Sequence, residues 1–444
     1  MAKLKEREYQ TRAVTELLKR FKKHQRIVAV APTGSGKTFV AAMLLRRFPG
    51  KRVLWIAHRL ELLYQARDHL KECGVLPGEI GIFSGAEKDN VDARILLASI
   101  DIFRAHLVPK VDIIVVDEAH RVMAKSYQEI IYAQPKALVL GLTATPERLD
   151  GKPLGDVFQD MLIVSEAMEL IADGYLCMPI CYGVDQSVAQ SMVAGVQTRA
   201  GDFDNAQLGE AMSDRRLVGN VVQECARLAQ GLRTIVFAVN RAHGAALFER
   251  FNESGRASAY LDGNTGIKER EQIVADLRSG AVELVVNVDV LSEGFDCEEV
   301  KCIALARPTK SLTVFLQQVG RSMRPYGGVD PIVLDHAGNV WRHSLPDMPR
   351  RWSLDGRPKG SGPARVKKCA ECERIIYASA RECPHCGAEQ PFTAQDLEEQ
   401  EIELQRIRNT EQMLAGRRTV LQEIAKRRGA NDEWVERVAR AYQG

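Results

Sequence analysis

The sequence predicts a tandem α/β protein: two domains, each built on a parallel sheet between helices, then a small cysteine-held module and a helical tail. Three observations carry this. Short β-branched runs alternate with helical stretches in two separate series, a polar irregular segment divides the series, and four of the ten cysteines cluster late in the chain as two C-x2-C pairs. Continuous apolar runs of about five residues suit strands buried on both faces, as parallel sheets require.

At 444 residues the chain has room for two large domains and an appendage. Its composition, 45% hydrophobic, 27% charged and 6% aromatic, excludes collagen, coiled-coil rods and wholesale disorder. No run of 18 uncharged apolar residues occurs, and the opening MAKLKEREYQ lacks the apolar core of a signal peptide, so the expected location is the cytoplasm, without a membrane. Lys+Arg 61 against Asp+Glu 58 gives only +3, so any polyanion site must come from local basic surface.

The first series comprises IVAVA from Ile27, VLWIA from Val53, ILLAS from Ile95, DIIVV from Asp112 and LVLGL from Leu138, which predicts a doubly wound domain over residues 1–182. The rhythm then breaks. Between about Tyr182 and Gln230 the chain is polar and irregular, before a helix-like DRRLVGNVVQECARLAQ. A second series follows: TIVFAV from Thr234, ELVVNV from Glu283, KCIALA from Lys301 and PIVLD from Pro331, giving a second domain over 183–345. Residues 339–368 carry eight Lys/Arg against two Asp/Glu with clustered Gly and Pro, so 346–365 is expected to be a basic, mobile linker. The cysteine module takes 366–392 and the helical tail 393–444.

APTGSGKT, Ala31 to Thr38, sits between a strand and the helical FVAAMLLRRF, the context a phosphate-binding loop requires. Gly34 and Gly36 let the backbone turn its amides toward phosphate, with Thr33 and Ser35 in the same loop; Lys37 would neutralise β and γ phosphates, and Thr38 would ligate Mg²⁺. Ala31 stands where the general pattern has its first Gly. DEAH, Asp117 to His120, ends a strand 80 residues after Lys37, at the sheet edge where the loop also lies. Asp117 would hold Mg²⁺ through water, and Glu118 would orient and deprotonate the attacking water.

With these motifs in order over roughly residues 7–340, the chain resembles the superfamily 2 DEAD/DEAH-box helicase core. That resemblance implies two RecA-like domains binding ATP and Mg²⁺. REYQ resembles the adenine-reading element, which makes Arg7 and Gln10 nucleotide contacts. TATP resembles the element that couples hydrolysis to domain movement, through Thr143 and Thr145. VLSEGFD resembles the fifth motif, with Gly294 near nucleic acid and Asp296 near the nucleotide; Glu293 would accept a bond from the ribose or buttress an arginine. QQVGRSMR resembles the sixth, implying Arg324 as the arginine finger with Gln317 and Arg321 beside it. His58, Arg59, Ser99, Gly263, Asn264 and Thr265 are implied as phosphate contacts along one nucleic-acid strand, His58 and Arg59 having helix capping as their plain alternative. The wording around the fifth and sixth motifs is most similar to the bacterial RadD-like branch of DNA-repair ATPases, although this chain has a single cysteine cluster.

CAEC and CPHCG place Cys369, Cys372, Cys383 and Cys386 as two thiol pairs ten residues apart, ribbon spacing for a structural Zn²⁺ with no open position. A redox C-x-x-C is the alternative. The ribbon is expected to present Lys367, Lys368, Arg374 and Arg381 to nucleic acid.

The function expected is an ATP-dependent DNA helicase or translocase in repair, recombination or replication, acting on single-stranded or branched DNA. An ATP-gated clamp or sensor, an RNA helicase and a restriction-system motor share the same motifs and stay open.

Overall fold

The structure, a computed structural model, describes residues 6–147, 153–213, 215–291, 297–356 and 365–390. In the first domain the strands are β1 (Arg26–Val30), β2 (Val53–Ala57), β3 (Ile80–Phe83), β4 (Lys88–Asp89), β5 (Ile95–Ser99), β6 (Ile113–Asp117), β7 (Leu138–Thr143) and β8 (Asp160–Ile163). They form one sheet in the order β4-β3-β5-β2-β6-β7-β1-β8, parallel except where β4 meets β3. β2 and β6 are buried at every position, which is why VLWIA and the IIVV before Asp117 read as unbroken apolar runs. The apolar runs locate β1, β2, β5, β6 and β7. They miss β3, β4 and β8, which are at most four residues long and lie toward the sheet edges, too short to show a period.

Next in the chain are β9 (Ile180–Gly183), the hairpin β10 (Thr198–Arg199) and β11 (Asp202–Phe203), then β12 (Arg233–Phe237), β13 (Ser258–Leu261), β14 (Leu284–Asn287), β15 (Val300–Leu305) and β16 (Ile332–Asp335). The second sheet runs β13-β14-β12-β15-β16-β9, parallel throughout. The boundary expected after residue 182 therefore cuts a strand: Cys181 pairs with Val333 in the second sheet. β9 precedes the irregular segment in sequence, so only its pairing with β16 reveals its domain.

Helices α1 (Glu8–Arg20), α2 (Lys37–Leu45) and α3 (Leu60–Glu72) pack on the first sheet. One apolar cluster runs through both domains, taking in Leu44 and Leu176 from the first and Phe315 and Met323 from the second. No helix among the described residues is long and apolar enough to cross a membrane.

Of the stretch expected as a mobile linker, 346–365, residues 357–364 lie outside the described residues, and the part before them is docked on the first domain. Trp352 and Leu354 pack against the first-domain cluster that includes Val28, Leu154 and Phe158, and the Leu354 carbonyl accepts from the Gly155 amide at 2.9 Å. Counting charges there hid two apolar anchors. Beyond it β17 (Val366–Lys368) and β18 (Ile375–Tyr377) form an antiparallel hairpin seated against β9, with a bridge between Tyr182 and Arg374. The tail expected as a helix, 393–444, lies outside the described residues.

Candidate active site

The loop from Ala31 to Gly36 leaves the carboxyl end of β1 and enters α2. Gly34 and Gly36 have φ of 82° and 77°, a region that side chains disfavour, so the turn needs glycine at both places. At Gly36 space gives a second reason, whereas at Gly34 a Cβ would only make ordinary contact with Arg324. A Cβ on Gly36 would stand 2.9 Å from Gln10 Nε2, and one on Gly34 would stand 3.5 Å from Arg324 Cγ. The loop is thus gripped by α1 on one side and by the second domain on the other.

Tyr9 donates its hydroxyl to the Ser35 carbonyl, and Gln10 Nε2 reaches the same oxygen at 3.5 Å. Gln10 Oε1 accepts from the Arg7 amide at 3.1 Å, while the Arg7 guanidinium lies over the Tyr175 ring at 4.6 Å. The adenine-reading candidates are therefore wired to the loop itself. Lys37 Nζ donates to the Ala31 and Pro32 carbonyls, each at 3.3 Å, and Thr38 follows in the first turn of α2. Thr33 Oγ1 and Ser35 Oγ are buried without a hydrogen-bond partner. Groups left so are costly unless something else binds them.

β6 delivers Asp117 and Glu118 to the same edge, separated from β1 by β7. Glu118 takes a left-handed backbone, φ 52°, a strained choice for a non-glycine residue that turns its chain sharply at the strand end. Its amide donates to Asp117 Oδ1 at 3.0 Å, and its Oε2 lies 3.2 Å from His120 Nδ1. Burial first, and then the Glu118 charge, push the Asp117 carboxyl up to about 7, against the opposing pull of Lys37. A buried carboxylate held up in this way is chemically suited to a cation, which would stabilise its charged form. Burial likewise lowers Lys37, with Glu118 and Asp117 opposing and Arg321 and Arg324 adding to the fall.

The second domain completes the cluster through the helix Leu312–Val319, capped by Ser311, whose Oγ accepts from the Val314 amide at 3.2 Å. Gln317 is 2% exposed, and its Nε2 has no partner. Arg324 is pushed down to about 10, by burial and then by Arg7. Thr143 ends β7 and Thr145 follows two residues on: Thr145 donates its amide to Thr143 Oγ1 at 3.2 Å, and its hydroxyl meets Thr313 Oγ1 of the second domain at 2.6 Å. The Cys177 amide adds a bond to the Met323 carbonyl at 2.6 Å. A cavity of about 50 Å³ lies between the domains, bordered by Thr33, Ala144, Gly320, Met323 and Trp352. Thr313 was missed in the sequence, although its place one helical turn before Gln317 was an available signal.

The nucleic-acid candidates sit at the carboxyl ends of strands: His58 and Arg59 after β2, Ser99 at the end of β5, and Gly263, Asn264 and Thr265 after β13. Asn264 donates its amide to Asp262 Oδ1 at 2.7 Å and accepts from Arg241 at 2.9 Å. Arg59 bonds across the domains to the carbonyls of Asp289 and Val290. Gly294 and Asp296, with Glu293, lie outside the described residues.

Cys369, Cys372, Cys383 and Cys386 bring four sulfurs within 4.8 Å of one another. Cys369 and Cys386 are 3.8 Å apart and Cys372 and Cys383 are 3.7 Å apart, against about 3.8 Å for the edge of a tetrahedron with metal–sulfur bonds of about 2.3 Å. Burial raises the Cys369 thiol, but the amides of Cys372 and Glu371 outweigh it and bring it down to about 6. Of the four cations expected to face nucleic acid, Arg374 donates to Tyr182 Oη at 3.3 Å and Lys368 Nζ lies 3.9 Å from Asp185 Oδ1, so both turn toward the second domain.

Residues 3–148 match the family model "Type III restriction enzyme, res subunit", and residues 217–326 match "Helicase conserved C-terminal domain". The 51.5 kDa protein of a Lactococcus phage (isolate 7-9) is 30% identical over 364 residues, covering 80% of this chain and 76% of that one. Putative ATP-dependent helicase IRC3 of Saccharomyces cerevisiae is 28% identical over 349 residues, 73% of this chain, which spans only 50% of the yeast protein. Two solved structures share the fold over 74% of this chain. The ATP-dependent Type ISP restriction-modification enzyme LlaBIII bound to DNA has a TM-score of 0.55 at 17% identity, with 27% of its length covered. S. cerevisiae Dbp5 bound to RNA and ADP BeF3 has a TM-score of 0.52 at 16% identity, with 83% covered.

Proposed function

This chain belongs to the superfamily 2 DEAD/DEAH-type helicases, and from that premise we propose that it is a DNA-dependent ATPase that moves along one strand as its two domains close on MgATP and reopen after hydrolysis. One observation carries the reading. Lys37 stands at the phosphate loop with Thr33 Oγ1 and Ser35 Oγ, both buried without a partner, and the second domain brings Gly320 against Thr33 and the charges of Arg321 and Arg324 to bear on Lys37. Such a surplus of donors calls for an anion rich in oxygen.

In this mechanism the loop amides and Lys37 hold the β and γ phosphates, while Arg7 and Gln10 meet the base. Thr38 and Asp117 would hold Mg²⁺, which when bound supplies charge neutralisation for the phosphates. Glu118 takes the proton of the attacking water. Arg321 and Arg324 stabilise charge on the transferring phosphoryl group, and they engage it only while the domains are closed. Loss of that group leaves the arginines facing Lys37, and their repulsion favours reopening. Thr145 and Thr313 transmit the change between domains.

DNA is preferred as the track because the wording of the fifth and sixth motifs is RadD-like, which also supports a role in DNA repair; LlaBIII bound to DNA and Dbp5 bound to RNA share this fold and do not separate the two tracks. The match to the res subunit over 3–148 favours a second reading, the motor of a restriction system. Cys369, Cys372, Cys383 and Cys386 are proposed to hold a structural Zn²⁺, on the fit of their sulfur separations to a tetrahedron. ATPase rates over single-stranded, duplex and forked DNA and RNA, run beside strand displacement, test the proposal. Stimulation by RNA alone would replace DNA, and ATPase without displacement or translocation would favour a clamp.

A further inference from the structure

Arg59 opens α3 on the face where nucleic-acid contacts were expected, yet its guanidinium spans the domain boundary. Nη1 donates to the Val290 carbonyl and Nη2 to the Asp289 carbonyl, both at 2.9 Å. Those two acceptors are held in place. Asn287 Oδ1 takes the amides of Val290 and Leu291, at 3.1 and 2.9 Å, while Arg307 bonds the Asp289 carboxylate. Asp289 itself has φ 58°, so the chain reverses sharply there. The loop leads directly into residues 292–296, the segment that carries Gly294.

Two residues along α3, Glu61 Oε1 accepts from Arg270 Nη1 at 3.2 Å, again across the domains. Arg270 also donates to the Thr265 carbonyl at 2.8 Å and the Gly263 carbonyl at 3.1 Å. One end of α3 is thereby tied to both second-domain loops that carry nucleic-acid candidates. A phosphate contact would use Arg59 as a charge. The observed contact uses it as a fork for two neutral carbonyls, which a lysine ammonium cannot match.

We infer that Arg59, with Glu61 and Arg270, forms a clasp that sets the 263–265 and 289–290 loops when the domains close, so that Arg59 is a positioning residue and not a phosphate ligand. The inference rests on the nucleic-acid-dependent reading above. In that cycle the clasp forms on closure and breaks on opening, which links the nucleotide cleft to the grip on the strand.

The test uses the full chain with Arg59→Lys, Arg59→Ala and Glu61→Ala. A single-stranded oligonucleotide is titrated for maximal ATPase, half-maximal concentration and the salt slope of that concentration. Small-angle scattering with a non-hydrolysable ATP analogue reports closure separately. For a clasp, Arg59→Lys lowers the maximal rate nearly as much as Arg59→Ala, at least about fivefold, because both lose the paired bonds. Glu61→Ala, an exposed ion pair, costs about twofold. Salt slopes stay at the wild-type value, and Arg59→Ala is less compact with the analogue. A lysine variant that behaves as wild type while alanine reduces the slope by about one makes Arg59 a phosphate ligand and overturns the clasp. If wild type shows no stimulation by any nucleic acid, the helicase reading fails by itself, and scattering still judges the clasp: equal compaction in Arg59→Ala ends it.

Discussion

Thr33 of the first domain and Gly320 of the second approach so closely that a Cβ on Gly320 would stand 2.5 Å from Thr33 Cβ and 2.9 Å from its Cγ2. The glycine of the sixth motif is therefore a contact point with the phosphate loop. It does not serve as a flexible turn, since its φ is −58°.

Gly320→Ala should hold the two domains apart at the point where Arg321 and Arg324 must reach the loop. A displacement on the order of 1 Å at a reacting centre can cost about a hundredfold in rate. ATPase is expected to fall by that order while circular dichroism stays native. A rate within a few-fold of wild type would show that the helix and loop part easily.

Glu118→Gln should retain ATP binding and stop turnover, because it keeps the shape and loses the base. Lys37→Ala should lose both, and Arg324→Ala should lower turnover by at least about a hundredfold if it supplies the finger. Nucleotide binding by calorimetry beside steady-state ATPase separates the three. Near-normal turnover in Glu118→Gln would remove it as the base, and a mild Arg324→Ala would move the finger to Arg321.

Cys383→Ser combined with Cys386→Ser should release one zinc per chain and melt the β17–β18 module, which has little core of its own. Because Ile375 packs against Gly183 and Arg374 against Tyr182, loss of the module also uncovers β9. Basal ATPase should survive, but the variant should aggregate more readily through the exposed edge. Metal analysis of native protein that finds no zinc would end the assignment.

His243 and His336 lie buried in the second domain, and burial pushes both down to about 4, with Glu224 opposing at His336. The unfolded chain takes up these protons near pH 6.5, while the folded chain refuses them until about pH 4. The stability they contribute is therefore complete above about pH 6.5 and falls as pH drops through that window, by up to about 3 kcal/mol each. Denaturant midpoints of the second domain measured from pH 7 to 4 should show the decline, and His336→Asn should make it shallower. An unchanged slope would mean that the fold does not hinder protonation of His336.

The strands that cross the middle of each sheet were legible because burial on both faces keeps the run apolar, as in VLWIA and in the IIVV that precedes Asp117. β3, β8 and β13 were not, since four residues near an edge carry mixed burial and no resolvable period. In the site, Gly34, Lys37, Asp117, Glu118 and the Gln317–Arg324 stretch were legible as spaced motifs. Thr313, Tyr175 and the Arg59 fork were silent, because each depends on a partner more than a hundred residues away or on the other domain.

The sequence by itself determined the parts whose chemistry is local: the phosphate loop, with glycines where the backbone must take positive φ, the carboxylates ending β6, and two thiol pairs on two turns. Only the tertiary structure decided that β9 joins the second sheet, that Trp352 and Leu354 anchor the supposed linker on the first domain, and that Arg59 faces two carbonyls. The physical reason is range. A loop's dihedral needs are written in its own residues, whereas edge pairing, apolar docking and a guanidinium's choice of acceptor are settled by groups that folding brings from elsewhere in the chain.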